Sequence, residues 1–275
     1  MVEKNGAVGD APPALAPILM AVLLSAALTP PAATAEPRSV EVDGTEFKVT
    51  LTDGRVLRSP ELVGATVTIS TTGGPVRLRI DAIERDPVAQ NAAVWLHSFS
   101  TEAADGSWQP LCYPGPDGRP QGFPLAGRPG AGGAMEPAEP GIFELVCTGG
   151  ARGKCVRFGY LLWVSTAMRD IYNACVRAVR ADYCGDGTGT TRTGTLIDLY
   201  DDRGIQKPAN DPTQEFEAGW TAAGAVCVHH VRVKENISLE TLAASCPRLR
   251  DRLGETCTEE RARALAATLF VRSAP

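Results

Sequence analysis

A chain of 275 residues with 27 Lys and Arg against 32 Asp and Glu carries a net charge of −5, so it has no basic footprint for nucleic acid or an anionic membrane. Its eight cysteines come with only three histidines and no C-x-x-C pair, which favours disulfides over a zinc site.

The first element is the uncharged run Ala14 to Leu28, "ALAPILMAVLLSAAL". It has the length of a signal-peptide h-region and is too short to span a bilayer comfortably. Pro30 and Pro31 follow, then Ala33-Thr34-Ala35, a small-x-small cleavage site before Glu36. We therefore expect residues 1–35 to be a signal peptide and the mature chain to be secreted or periplasmic. No later apolar run reaches eighteen residues, so no integral membrane segment is expected after cleavage.

From 36 to 95 the pattern is β-rich. Val67 and Ile69, then Val76, Leu78 and Ile80, alternate about Gly73-Gly74 as a hairpin with one buried face. "AVWLHSF" adds a strand. Residues 114–140 hold seven prolines and seven glycines, so they are expected to form an irregular loop, and no pocket is assigned to its 124–140 part. "FELVC" and "CVRFGYLLW" read as two strands joined by the glycine-rich "TGGARGK". Met168, Ile171, Cys175 and Val179 recur at helical spacing over 167–183, ending at Gly185. "GAVCVHHVRV" is a further strand. Ser238 caps a short helix stopped by Pro247, and Thr256 with Glu259 makes a capping box for a last helix faced by Ala262, Leu265, Ala266 and Leu269. The fold class is α+β, with a β-rich N-terminal part and a disulfide-stapled C-terminal part of about three helices and antiparallel strands. The domain division is 1–35, 36–95 and 96–275.

All eight cysteines (Cys112, Cys147, Cys155, Cys175, Cys184, Cys227, Cys246 and Cys257) are expected in disulfides. The hairpin reading pairs Cys147 with Cys155, and the short link between Cys246 and Cys257 pairs those two. Nine residues of helix between Cys175 and Cys184 would separate them by about 13 Å, beyond the roughly 7 Å a disulfide allows. Each of these two is therefore expected to reach a distant partner.

The stretch Arg180 to Gly187, "RADYCGDG", concentrates the candidate chemistry in Ala181, Asp182, Tyr183, Cys184 and Asp186, with Asp198 and Asp201 downstream. Gly185-x-Gly187-x-Gly189 follows a helix, not a strand, so it fails as a dinucleotide fingerprint. With Asp182 at position 1 of a calcium loop, Asp186 and Gly187 fall at 5 and 6, but Thr193 occupies position 12, where a bidentate carboxylate is needed. No metal and no cofactor are expected. A thiol-enzyme reading would join Cys184 to His229 or His230 and to Asp198, Asp201 or Asp202. It would leave an odd number of cysteines in an oxidising space. The simpler reading makes Asp182 and Asp186 acceptors of backbone N–H groups in a tight turn.

The run "NACVRAVRADYCGDGTGTTRTGTLIDLYDDRGI" (173–205) resembles the signature of the ADYC-domain family, named for Ala181-Asp182-Tyr183-Cys184. "PLC" ending at Cys112, "FELVCTGGARGKCVRFGYLLW" (143–163) and "FEAGWTAAGAVCVHHVRV" (216–233) are similar to that family as well, over roughly residues 95–270. The resemblance implies an exported bacterial protein of unknown function, with the Pro/Gly stretch a loop inside one domain. The leading expectation is a non-catalytic cell-envelope binding or structural module with an unidentified envelope partner or ligand. The alternative is an envelope hydrolase using Cys184 or the Asp182/Asp186/Asp198/Asp201 cluster.

Overall fold

The computed structural model describes residues 35–89, 94–115 and 117–275; the run Ala14 to Leu28, expected to belong to a signal peptide, lies outside them. Residues 35–275 form one compact unit. In chain order it contains β1 (Pro37–Asp43), β2 (Glu46–Leu51), β3 (Val56–Arg58), β4 (Thr66–Thr71), β5 (Gly74–Arg85), β6 (Trp95–Glu102), β7 (Trp108–Pro110) and β8 (Gln121–Ala126). Then come β9 (Arg128–Pro129), β10 (Met135–Glu136), β11 (Phe143–Cys147), α1 (Ala151–Arg157), α2 (Thr166–Arg180), β12 (Ile197–Asp201), β13 (Glu215–Thr221) and β14 (Gly224–Val228). The chain closes with α3 (Leu239–Ser245), α4 (Glu259–Ala264) and β15 (Leu269–Ser273). Among the described residues no helix is long and apolar enough to cross a membrane.

The strands pair antiparallel in four sheets: β1-β2-β3, the small β10-β9 pair, β11-β8-β6-β5-β4 with β7 beside β6, and β12-β15-β13-β14. The architecture is α+β. Period-2 burial drives the first half: Phe47, Val49 and Leu51 of β2 turn inward to meet Leu78, Ile80 and Phe99. The expected hairpin stands, with Thr71 opposite Gly74 across a two-residue turn.

The last sheet separates two cores. Leu199, Ala218, Trp220, Ala225, Val228, Leu269 and Val271 face α2, whereas Tyr200, Val226, Cys227 and Phe270 face α4 with Ala262. The face that each cysteine shares decides the disulfide map. Cys112 bonds Cys147, Cys155 bonds Cys175, Cys184 bonds Cys246, and Cys227 bonds Cys257, with Cα separations of 5.5, 5.9, 5.7 and 5.5 Å.

Both expected pairs are thereby corrected. Cys147 and Cys155 do not meet, because the glycine-rich link opens into α1 where a return strand was expected. Gly153 permits that helix to lie on β11, since a Cβ there would stand 2.3 Å from the Cys147 carbonyl oxygen. Cys246 and Cys257 are close in sequence but belong to the two different cores. As expected, Cys175 and Cys184 each bond elsewhere.

Three boundaries also move. The Pro/Gly stretch contains β8, whose first five residues are buried and which lies between β11 and β6. Pro124 is tolerated there because β6 bonds β8 only at Gly122 and Gln121, leaving Pro124 opposite Leu145 alone. The last helix is capped by Thr258, whose side chain accepts from the Arg261 N–H, and it ends at Ala264, so Leu269 begins a strand. Ser238 caps α3 as expected.

Candidate functional site

The ADYC motif is the sharp exit of α2. Ser165 starts that helix by accepting the Met168 N–H at 3.1 Å. Ala181 stops it in the left-handed region at φ 51°, where a glycine is the usual occupant. The Ala181 N–H donates to Ala178 O at 3.1 Å and the Asp182 N–H to Arg177 O at 2.9 Å, the paired bonds of a Schellman ending. The helix thus ends four residues earlier than Gly185, and Cys184 lies in the following turn.

Asp182 points inward and its side chain is fully buried. Its Oδ1 accepts the Gly185 N–H at 2.9 Å, and its Oδ2 accepts the Gly187 N–H at 3.0 Å and an Arg177 guanidinium N–H at 2.5 Å. Tyr183 stacks on Trp220 with ring centroids 5.2 Å apart. Its hydroxyl donates to Glu217 at 3.0 Å and accepts the Arg232 N–H at 2.9 Å. Burial, then the neighbouring Glu217 carboxylate, raises the Tyr183 phenol well above its ordinary pKa, so it stays a donor.

Arg232 and Glu217 form a buried bidentate pair, both contacts at 2.9 Å. Arg232 also donates to the last α2 carbonyls, Ala178 O at 2.8 Å and Val179 O at 3.1 Å. Arg248 donates to Tyr183 O at 2.8 Å and Cys184 O at 3.0 Å, while the Ala225 N–H of β14 bonds Tyr183 O. The motif therefore docks on the β14 edge of the last sheet, held by side chains from 217 to 248. Gly185 fits that edge closely: a Cβ would lie 2.0 Å from Ala223 O.

The remaining carboxylates are elsewhere. Asp198 and Asp201 lie on β12, the opposite edge of the same sheet, with two strands between. Asp198 accepts the Ala209 N–H at 3.0 Å. Asp201, on the α2 side, accepts N–H bonds from Arg203, Ile205 and Gln206 and the Tyr160 hydroxyl at 2.9 Å. The four-aspartate cluster does not assemble, because three strand spacings of about 4.8 Å separate its halves.

The thiol-enzyme set is overturned too. Cys184 is bonded to Cys246, and the histidines are engaged apart from it: His229 Nδ1 lies 3.2 Å from Gly254 O and His230 Nε2 lies 3.1 Å from Ser273 Oγ. Burial lowers the His230 pKa below its ordinary value. His97 is fully buried against Ser59 Oγ at 2.8 Å. For calcium, the inward-facing Asp182 is already saturated by N–H donors. Among the described residues no three His, Cys, Asp or Glu are grouped to hold a metal ion. Asp186 accepts the Thr188 N–H at 2.8 Å, and that bond holds its carboxyl below the usual carboxylate range.

The outer face of the ADYC turn forms one wall of a cleft of about 650 Å³. Asp186, Gly187 and Thr188 stand on one side, the β11–α1 junction with Glu144 and Arg152 on another, and Gly132 and Gly133 across from them. The Pro/Gly stretch, where the sequence points to no pocket, thus supplies part of this wall through Gly132 and Gly133. Three guanidinium groups border it. Arg177 is matched by Asp182, and Arg152 is ion-paired with Glu144, whose carboxyl is pushed up by burial against the opposing pull of that arginine. Arg180 is exposed at the mouth, donates to Gly187 O at 2.5 Å, and among the described residues makes no ion pair.

Sequence reading missed Glu217, Arg232 and Arg248, and the cleft arginines. A signal existed for the first two: Glu217 and Arg232 each sit between apolar residues in strand-like runs, the positions where a charge must find a buried partner.

The ADYC domain model matches residues 59–234, well over half of the chain, and it extends further into the β-rich region than the resemblance quoted above. Neither the curated proteins nor the solved structures yield a match. The chain belongs to the ADYC-domain family.

Proposed function

We propose that this chain is an exported, non-catalytic binding module of the cell envelope, in which the ADYC turn is scaffold and the cleft above it seats an anionic, carboxylate-bearing ligand. The carrying observation is the charge arrangement of the cleft. Arg177 and Arg152 each have a carboxylate, whereas exposed Arg180 at the mouth has only a carbonyl. A planar guanidinium with free N–H groups suits a carboxylate or phosphate. Support for a scaffold role comes from the motif itself: the thiol is in a disulfide and both Asp182 oxygens are taken by donors. Four disulfides fit an oxidising compartment. Removal of residues 1–35 is part of this proposal, and a mature N-terminus at Glu36 on exported protein tests it.

The ligand seat is tested by NMR titration of the oxidised protein with citrate, acetate and inorganic phosphate. Saturable shifts confined to residues 132–133, 144–152 and 177–188 are expected, with affinity at least tenfold weaker in Arg180→Glu. Unsaturable or scattered shifts, or an unchanged response in Arg180→Glu, would sink the reading.

A further inference from the structure

We propose that β4 is a self-association edge through which two copies of this chain pair antiparallel about a two-fold axis at Thr68. β4 is the terminal strand of its sheet. Its sequence, "TVTIST", carries no charge and no proline, and its register with β5 is unbroken, so it lacks the devices that usually blunt an edge.

The register identifies which backbone groups are free. Ser70 faces Pro75, and a proline has no N–H to give, so that pair is not hydrogen-bonded. Alternation then makes Thr68 with Arg77 and Thr66 with Arg79 non-bonded pairs as well. The Ile80 N–H, which donates to Ala65 O at 3.0 Å, gives the same parity from the other end. The N–H and C=O of Thr66, Thr68 and Ser70 therefore point away from β5, three donors and three acceptors on the open edge.

One antiparallel register of β4 with itself uses all of them. Thr66 meets Ser70 of the second copy, Thr68 meets its own counterpart, and Ser70 meets Thr66, giving six main-chain bonds. Shifting by two residues loses two of those bonds. A shift of one residue turns the side chains to the wrong faces. In the full register Val67 sits opposite Ile69 of the second copy, and both side chains are half-buried in this chain, so pairing covers them further. On the other face Thr and Ser meet Thr and Ser, and no like charges oppose each other. A partner of another sequence would need to reproduce this apolar and hydroxyl alternation. The chain itself supplies it.

The position of Thr68 on the axis makes the proposal testable without touching the core, because its side chain is exposed. Full-length exported protein, Thr68→Lys, Thr68→Glu and an equimolar mixture of the two variants are compared by sedimentation velocity across a concentration series. The native protein should show a reversible monomer–dimer equilibrium. Each variant, with like charges directly opposed, should dimerise at least tenfold more weakly, and the mixture should recover dimer as the Lys/Glu heterodimer. A native protein that stays monomeric throughout the series would overturn the proposal. So would dimerisation indifferent to Thr68→Lys, or a mixture no better than its components.

Discussion

Replacing Asp182 by asparagine exchanges one heavy atom and tests the reason for the ADYC motif. The carboxylate accepts Gly185 N–H on one oxygen, and Gly187 N–H and the Arg177 guanidinium on the other. An amide NH₂ in place of either oxygen sets a donor against a donor, a loss of about 1–3 kcal/mol for an unmade buried bond. Arg177, whose side chain is 5 % exposed, then keeps its charge but loses its buried ion-pair partner. Breaking a buried pair from one side costs roughly 3–5 kcal/mol in all. For a unit of this size each kcal/mol lowers Tm by about 2–4 °C, so Asp182→Asn should melt roughly 6–20 °C below the native protein. Thermal and urea unfolding, followed by circular dichroism under non-reducing conditions, measure this directly. A double-mutant cycle with Arg177→Met should show a coupling above about 1 kcal/mol. Asp182→Asn within 1 kcal/mol of native, with no coupling, would refute the scaffold reasoning.

Gly185→Ala should cost well over 2 kcal/mol, since φ is 74° and the new Cβ would lie 2.0 Å from Ala223 O. Gly194→Ala is the control, at φ 89° with nothing within 4 Å of the Cβ, and should cost about 1–2 kcal/mol by urea melts. Burial holds the His97 pKa down to about 4, below its ordinary 6.5. The unfolded chain takes up that proton first as pH falls. Stability should therefore be full above pH 6.5, decline by about 3 kcal/mol between 6.5 and 4, and be flat in this component below 4; His97→Gln should remove most of that decline. Converting Cys184 and Cys246 together to serine releases a 62-residue span and should cost about 4 kcal/mol by loop-closure entropy, read as a lower urea midpoint.

How far the fold was legible depends on the range of the interactions. Signals written in a few adjacent residues were readable: the β4–β5 hairpin from alternation about Gly73-Gly74, and the Ser238 cap from its place before α3. Where a residue contradicts its local habit, reading failed. Gly153 lies within α1 because β11 leaves no room for a Cβ, so its glycine-rich start looked like a turn. Ala181 adopts the left-handed cap that glycine usually takes, so the sequence pattern carries α2 on to Gly185. Pro124 disguised a buried strand as loop.

The motif's partners failed to show for a different reason. Asp182 and Tyr183 were visible as a motif, but Glu217, Arg232 and Arg248 lie 34, 49 and 65 residues from Tyr183 along the chain. Only the closed sheet brings them to the turn. Nearness in sequence suggests the four-aspartate cluster, and the same sheet pulls it apart, placing the turn on the β14 edge and the other two on β12.

The most direct test of the central claim, that ADYC is scaffold, is non-reducing peptide mapping by mass spectrometry with free thiols alkylated, on protein exported to an oxidising compartment. The account predicts four bridges, Cys112–Cys147, Cys155–Cys175, Cys184–Cys246 and Cys227–Cys257, and no alkylated cysteine. Cys184 recovered as an alkylated free thiol would contradict it and return that residue to the place where chemistry should be sought.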